Sequence, residues 1–363
     1  MRVVFAGGGT GGHLFPGIAI AQEFMKRDPN TRILFIGTGK PLEVSVLADH
    51  GFAHQRISTE GIIGRKWWQK MRSILKLPAG ILKSAYLLLR FQPQLAVGLG
   101  GYSAAPVVAA AWLMRKRIVL QEQNIVPGIT NRMLAPLADR IYVSFEETAT
   151  YFRKDKVRFT GNPIRTSLLE ALEKKSRVDS EKQLFTVMIL GGSQGAHSIN
   201  VAMAEALVHL KQKDRYHFIH QTGIKDEAFI KERYRQQKVS AEVQAFFQDI
   251  ASVLQKVDLV ICRAGATTVA EITALALPAI LIPFPFAADN HQVLNARELE
   301  KKGAAEVVLE PELNGRLLAD RINYYFTNPQ LLRQMAERAK WHAKPEAAKT
   351  IVDDSYRLMA GNG

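Results

Sequence analysis

The same local pattern occurs twice in this chain: an apolar strand runs straight into a glycine-rich turn, at RVVFAGGGTGG (Arg2 to Gly12) and again at FTVMILGGSQGA (Phe185 to Ala196). A strand that ends in small residues and opens a helix presents backbone N–H groups at the helix N-terminus, where they attract phosphate. Two such turns predict two nucleotide-binding-like halves. The 363 residues allow two domains, each large enough to bury its own core. Around both turns short apolar strands alternate with amphipathic helices, the pattern of parallel sheets covered on both faces.

In the first half, strands are expected at Val3 to Ala6, Ile33 to Gly37, Leu95 to Leu99, Ile118 to Gln121 and Ile141 to Ser144. The second half repeats the order at Thr186 to Leu190, His217 to Gln221, Leu259 to Cys262 and Ala279 to Pro283. GLGGYSAAP after the Leu95 strand parallels RAGATTVAE after the Leu259 strand. The expected fold is therefore α/β, two Rossmann-like doubly wound domains facing across a cleft. Residues 1–162 form the first domain, with a C-terminal helix at about 342–363 packing back on it, and residues 163–341 the second. Gly161 and Pro163 in FTGNPIR stop regular structure at the boundary.

Charge separates the halves. Residues 1–165 carry 23 Lys and Arg against 10 Asp and Glu, and the remainder 25 against 24. A basic half beside a neutral one points to nucleic acid or an anionic membrane as partner. Between Gly61 and Ala138 there are eleven basic residues and one acid, Glu122. The densest stretch interleaves Lys66, Lys70, Arg72, Lys76 and Lys83 with Trp67, Trp68, Ile74, Leu75, Leu77, Ile81 and Leu82, and Pro78 interrupts it. Cations mixed with bulky apolar groups suit a helical hairpin lying on anionic lipid. No RNA-binding signature accompanies the charge, so nucleic acid is set aside.

Phe91 to Met114 is uncharged, but its prolines and glycines divide it into a strand, a turn and a small-residue helix rather than a membrane span. Cys262, the only cysteine, closes the apolar run DLVIC and is expected as a buried thiol. With no disulfide possible within the chain and no signal-like N-terminus, a cytosolic protein is expected.

Gly7, Gly9 and Gly12 satisfy the dinucleotide spacing G-x-G-x-x-G. That fingerprint expects an acid at the end of the second strand to hold a ribose. Here the strand runs into Gly37, Thr38, Gly39 and Lys40, which disfavours NAD and leaves NADP open only through Lys40. No Asp-x-Asp pair, zinc-ligand spacing or H-E-x-x-H occurs, so neither a metal nor a cofactor is expected.

TGGHLFPG, GGYSAAP, QEQNIVPG, GNPIR, GGSQGA, CRAGATTVAEI and DNHQVLNA, in this order from Thr10 to Ala296, together resemble the MurG family of bacterial peptidoglycan glycosyltransferases. The resemblance implies the GT-B architecture and transfer of N-acetylglucosamine from UDP-N-acetylglucosamine to the C4 hydroxyl of the muramyl sugar in lipid I, forming lipid II. It implies a peripheral enzyme on the cytoplasmic face of the membrane, with other cell-wall synthesis proteins as possible partners. Ser193, with the N–H groups of Gly192 to Gly195, then cradles the donor diphosphate, and Arg165 approaches the same phosphates. Glu271 accepts the ribose hydroxyls. Ala266, Thr267 and Thr268 border nucleotide and sugar, although the family has an apolar residue where Thr267 stands. Ile250 corresponds to the position whose backbone meets uracil. Gln292, beside His291, meets the sugar hydroxyls, and Asn124 reaches the transferred sugar from the first domain.

Thr10, Gly11 and Gly12, with Gly100 to Ser103, resemble loops that receive the acceptor diphosphate. His13 is the leading general base, because an imidazole titrates near neutral pH and follows a turn open to an acceptor; Glu122 is the second candidate. Two rivals share the fold: a GT-B enzyme that glycosylates diacylglycerol, and a UDP-N-acetylglucosamine 2-epimerase. The epimerase needs no lipid, which the basic apolar segment disfavours.

Overall fold

The computed structural model describes residues 1–57, 67–175, 184–192 and 195–361, with backbone alone at 67–77 and 171–175. The chain divides into two compact units, Met1–Arg165 with Lys344–Gly363, and Thr166–Ala343.

The first unit contains β1 (Arg2–Gly7), α1 (Gly11–Arg27), β2 (Arg32–Gly37), α2 (Pro41–Asp49), β3 (Ala53–Arg56), α3 (Trp67–Phe91), β4 (Leu95–Gly100), α4 (Ala104–Leu113), β5 (Arg117–Glu122), α5 (Ile129–Leu134), β6 (Arg140–Val143) and β7 (Val157–Phe159). The second contains α6 (Thr166–Lys175), β8 (Phe185–Leu190), α7 (His197–Ala206), β9 (Tyr216–Gln221), α8 (Glu227–Gln236), β10 (Ser240–Gln244), α9 (Ile250–Leu254), β11 (Leu259–Cys262), α10 (Ala266–Ala274), β12 (Ala279–Leu281), α11 (His291–Lys301), β13 (Glu306–Val307), α12 (Gly315–Thr327) and α13 (Pro329–His342). The last helix, α14 (Ala347–Met359), belongs to the first unit.

Both sheets are parallel throughout, ordered β3-β2-β1-β4-β5-β6-β7 and β10-β9-β8-β11-β12-β13. In each, the order reverses between the first strand and its neighbour, β1 beside β4 and β8 beside β11. Connections leave such a pair toward opposite faces, so a crevice opens at its carboxyl end. Both glycine-rich turns lie there.

Alternation along β1 builds two cores. Val3 and Phe5 pack with residues of α1 and with Ile351, Val352 and Leu358 of α14, whereas Val4 and Ala6 pack with Leu88 of α3 and Val107 and Val108 of α4. Polar contacts fix α14: the Tyr142 hydroxyl donates to Asp354 at 3.1 Å, and Arg27 pairs with Asp353 and stacks on Tyr356. In the second unit Val187 and Ile189 pack with Ile199 and Met203 of α7 and Leu318 and Ile322 of α12.

Two expectations change. Pro78 does not divide a hairpin, because α3 continues through it for 25 residues. Its ring is exposed, where water can serve the carbonyl left without a backbone partner. Four strands, β3, β7, β10 and β13, were not anticipated, and all four are sheet edges. Phe91 to Met114 resolves into the end of α3, then β4, then α4 with the turn that follows it. Among the described residues no helix is long and apolar enough to cross a membrane, and Cys262 is buried.

Candidate active site

In the first unit the turn after β1 is closely determined. Gly7 has φ +112°, and a Cβ there would lie 2.3 Å from the Gly100 carbonyl oxygen of the neighbouring turn. Thr10 adopts an extended conformation ahead of α1, and its Oγ1 lies 2.9 Å from His13 Nδ1. The other edge of the imidazole rests on Gly100, where a Cβ would meet Nε2 at 3.2 Å. His13 is thus held between the two turns of the switch point. The tautomer in which Nδ1–H donates to Thr10 is the one that leaves Nε2 the lone pair a base requires. Gly11 is half-buried and Gly12 exposed, and space is open beside Gly12 and Gly101. Two residues further along α1, the Phe15 ring carries the Arg165 guanidinium 4.9 Å from its centroid. Arg165 therefore lies on the first unit's helix.

The segment after β5 is organised by Glu122. Its carboxylate is buried, with Oε1 accepting from the Asn124 N–H at 3.0 Å and Oε2 from the Gly128 N–H at 3.0 Å and Asn131 Nδ2 at 2.9 Å. Burial pushes this carboxyl above its ordinary value, and the three N–H groups oppose that shift. Both oxygens are committed to the loop. Asn124, half-buried, is also fixed by the Thr148 hydroxyl, which donates to its carbonyl at 3.1 Å.

The dinucleotide fingerprint directs attention to the end of β2, where there is no acid, but the first turn of α2 brings one to that place from outside the motif. Glu43 Oε2 accepts from the N–H groups of Thr38 and Gly39 at 3.1 Å and from the Thr38 hydroxyl at 2.7 Å. His54 Nε2 lies 3.4 Å from Oε1. Burial favours the neutral acid, but the contacts with His54 and Thr38 outweigh it and hold this carboxyl below its ordinary value. The carboxylate is engaged by its own loop, not presented to a ribose.

In the second unit β8 leads to Gly191 and Gly192, while Ser193 lies outside the described residues. The Gly195 N–H donates to the Gly192 carbonyl at 3.1 Å. Gly195 has φ +76°, and a Cβ there would lie 2.2 Å from the Thr222 carbonyl oxygen. The turn after β11 reaches the same edge. Arg263 donates to Ser198 Oγ on α7 at 3.0 Å and to the carbonyls of Ile282 and Pro283 at 3.2 and 3.3 Å, pairs with Glu310 and lies over the Phe284 ring. It joins three carboxyl-end loops. Its position between a strand and a glycine turn of the repeated pattern is the sequence signal that could have found it.

Ala266 opens α10, with Thr267 and Glu271 buried and Thr268 half-buried. Asn295 donates to the Ala264 carbonyl at 3.2 Å. Gln292 accepts the Phe284 N–H at 3.0 Å, and His291 Nδ1–H donates to the Ala288 carbonyl at 2.7 Å. Ile250 is buried at the start of α9, which Asp249 caps by accepting the Ser252 N–H at 3.1 Å. The structure thus gathers Gly191, Gly192 and Gly195 with the turn at 263–268 at the carboxyl end of one sheet. Among the described residues no group of three or more His, Cys, Asp or Glu could hold a metal ion.

A third feature is a surface of the first unit. On α3, Leu82, Tyr86 and Leu89 are exposed at helical spacing beside Lys83 and Arg90. On α4, Trp112 and Leu113 are exposed, and they line a groove with Arg115, Lys116, Arg117 and Lys156. Ile81, expected on this surface, instead packs against the core. Lys66 lies outside the described residues, as do the side chains of Trp67, Trp68, Lys70, Arg72, Ile74, Leu75, Lys76 and Leu77.

Two Rossmann-order units, each with a glycine turn at its switch point and each matching a glycosyltransferase domain, make this a glycosyltransferase of the GT-B type. The chain belongs to glycosyltransferase family 28, whose N-terminal domain matches residues 3–143 and whose C-terminal domain matches residues 186–351. It is 43% identical over 355 residues, 98% of each chain, to the UDP-N-acetylglucosamine--N-acetylmuramyl-(pentapeptide) pyrophosphoryl-undecaprenol N-acetylglucosamine transferase of Geobacter sulfurreducens. The protein of the same name from Thermodesulfovibrio yellowstonii is 41% identical over 99% of each chain. Among solved structures, the MurG of Acinetobacter baumannii superposes with TM-score 0.78 at 28% identity, covering 97% of this chain and 98% of the other. A UDP-GlcNAc 2-epimerase from Neisseria meningitidis shares the fold, with TM-score 0.73 at 13% identity over 98% of this chain and all of the other.

Proposed function

We propose that this enzyme transfers N-acetylglucosamine from UDP-N-acetylglucosamine to the C4 hydroxyl of N-acetylmuramic acid in lipid I, with inversion at the anomeric carbon, and so forms lipid II for peptidoglycan. The observation that carries this reading is the 43% identity over 98% of both chains with a relative named for that transfer. The acceptor oxygen bonds to the sugar C1 as the bond from C1 to the diphosphate oxygen breaks, and that electron pair leaves with UDP. The hydroxyl proton passes to His13 Nε2, while Thr10 fixes the ring through Nδ1. Glu122, whose oxygens are engaged by its own loop, presents Asn124 and is not the base. The second unit holds the donor: the turn around Ser193 and the start of α10 receive the nucleotide, Glu271 its ribose, and Gln292 the sugar hydroxyls. Backbone N–H groups and Arg165 offset the diphosphate charge.

The acceptor is embedded in a membrane. The exposed Leu82, Tyr86, Leu89, Trp112 and Leu113, set among Lys83, Arg90 and Arg115 to Arg117, form the surface that docks on anionic lipid at the cytoplasmic face. Each cation near such a surface contributes about 1 kcal/mol. Mass analysis after mixing the enzyme with UDP-N-acetylglucosamine and a short-chain lipid I analogue tests the reaction. One added N-acetylhexosamine on the analogue is expected. An untouched analogue overturns it.

A further inference from the structure

The strand end His220–Gln221–Thr222 has no part in the chemistry above, yet it touches two segments assigned to the donor. We propose that Gln221 is a positioning residue, a single buried amide that holds the diphosphate turn and the base-side segment Phe247 to Ile250 in one register. The proposal rests on placing the donor in the second unit.

Gln221 ends β9 and is 3% exposed. Its Nε2 donates to the Gly192 carbonyl at 3.1 Å, and its Oε1 accepts the Phe247 N–H at 3.1 Å. The two contacts cannot be exchanged, because rotating the amide would face two donors at Phe247 and two acceptors at Gly192. Gly192 also accepts from the Gly195 N–H, so its carbonyl is fixed from two sides.

The far side of the turn is held separately. The Thr222 carbonyl, packed against Gly195, accepts from Asn200 Nδ2 at 2.9 Å. Asn200 Nδ2 also donates to Asp226, which leaves Oδ1 to accept from His220 Nε2–H at 3.0 Å. The Tyr234 hydroxyl then donates to His220 Nδ1 at 3.3 Å. This second grip ties the turn to α7, β9 and α8, whereas Gln221 reaches the segment before α9. A nucleotide that binds through base and diphosphate together needs those two segments at a fixed separation, and this amide sets it.

Calorimetry on the full chain with UDP and with uridine tests the proposal. Gln221→Met keeps the length and removes both contacts. It is expected to raise the UDP Kd about tenfold, to weaken uridine as well, and to raise the KM for the UDP-sugar while kcat at saturating donor stays within about threefold of wild type. Gln221→Glu gives a pH readout. Protonated, the acid donates to Gly192 and accepts from Phe247; ionised, it repels the Gly192 carbonyl. Burial raises such a carboxyl, so the variant-to-wild-type ratio of UDP Kd should climb from near unity at about pH 6 to about tenfold at about pH 9. If Gln221→Met does not fold, the Gln221→Glu series decides. Folded variants that bind UDP within about twofold of wild type at every pH overturn the proposal. A wild-type chain that fails to bind UDP overturns the donor assignment instead.

Discussion

The two glycine turns occupy equivalent points of equivalent sheets, yet different chemistry stands behind them. In the first unit the turn is bordered by a titratable ring, His13, and by the ionised Glu43 next to His54. In the second it is gripped by amides, Gln221 and Asn200, and behind them by His220, which burial pushes down to about 3 against a smaller opposing effect of Asp226. Topology places a turn at a crevice; the side chains beneath it decide what that crevice can do. An imidazole beside open backbone suits proton transfer, whereas amides that donate to carbonyls beneath a turn hold a backbone cradle rigid.

The largest effect expected from this contrast is on turnover. His13→Ala should lower kcat by roughly 10²–10⁴-fold and leave the UDP Kd near wild type. Steady-state kinetics that find normal turnover would move proton transfer to water or another group. Next is the ribose contact: Glu271→Ala removes the proposed acceptor of hydrogen bonds to a charged group, which contribute about 1.5–3 kcal/mol each. Calorimetry should show UDP affinity falling at least about tenfold in a folded variant, and unchanged affinity would remove Glu271 from the donor site.

A smaller effect concerns acid stability. His220 is held below its ordinary value of 6.5, so the unfolded chain binds the proton more readily. Its contribution to stability is complete above about pH 6.5 and is lost as pH falls toward 3, by up to about 1.4 kcal/mol per pH unit. Urea midpoints measured across this range should fall less steeply for His220→Asn than for wild type. Parallel slopes would show that the ring is charged in the folded state. The smallest effect on the fold is expected at the proposed lipid-docking surface. Leu82→Ser, Leu89→Ser and Trp112→Ser combined should abolish binding to anionic vesicles with Tm nearly unchanged, because these side chains already face solvent. Wild-type binding should weaken as salt shortens the Debye length below about 8 Å. Vesicle binding that survives the triple change would remove this surface from the docking role.

Inner strands such as β1, β4, β8 and β11 are buried on both faces and appear as continuous apolar runs. The strands that escaped, Ala53–Arg56 with AHQR and Ser240–Gln244 with SAEVQ among them, lie at sheet edges and need no such run. At the site, motif residues next to glycines were legible because the turn itself marks them. Glu43 and Gln221 were not, since each reaches the turns from another element and only strand order shows where it arrives; Arg263 stands in a motif turn, but its partners Ser198, Ile282, Pro283 and Glu310 come from other elements. Ile81 illustrates the opposite difficulty: an apolar residue between lysines looks the same whether its helix turns it toward lipid or toward the core.

In the proposed reaction the two turns divide the work, donor to the second unit and acceptor to the first. Hydrogen exchange on the full chain, with and without saturating UDP and with no acceptor present, tests that division directly. Slower exchange is predicted at Gly191, Gly192 and Gly195, at Phe247 to Ile250 and at Ala266 to Thr268, with Gly7 to Gly12 and Asn124 to Ile125 unchanged. Protection by UDP at the Gly7 to Gly12 turn, with none at Gly191 to Gly195, would contradict it.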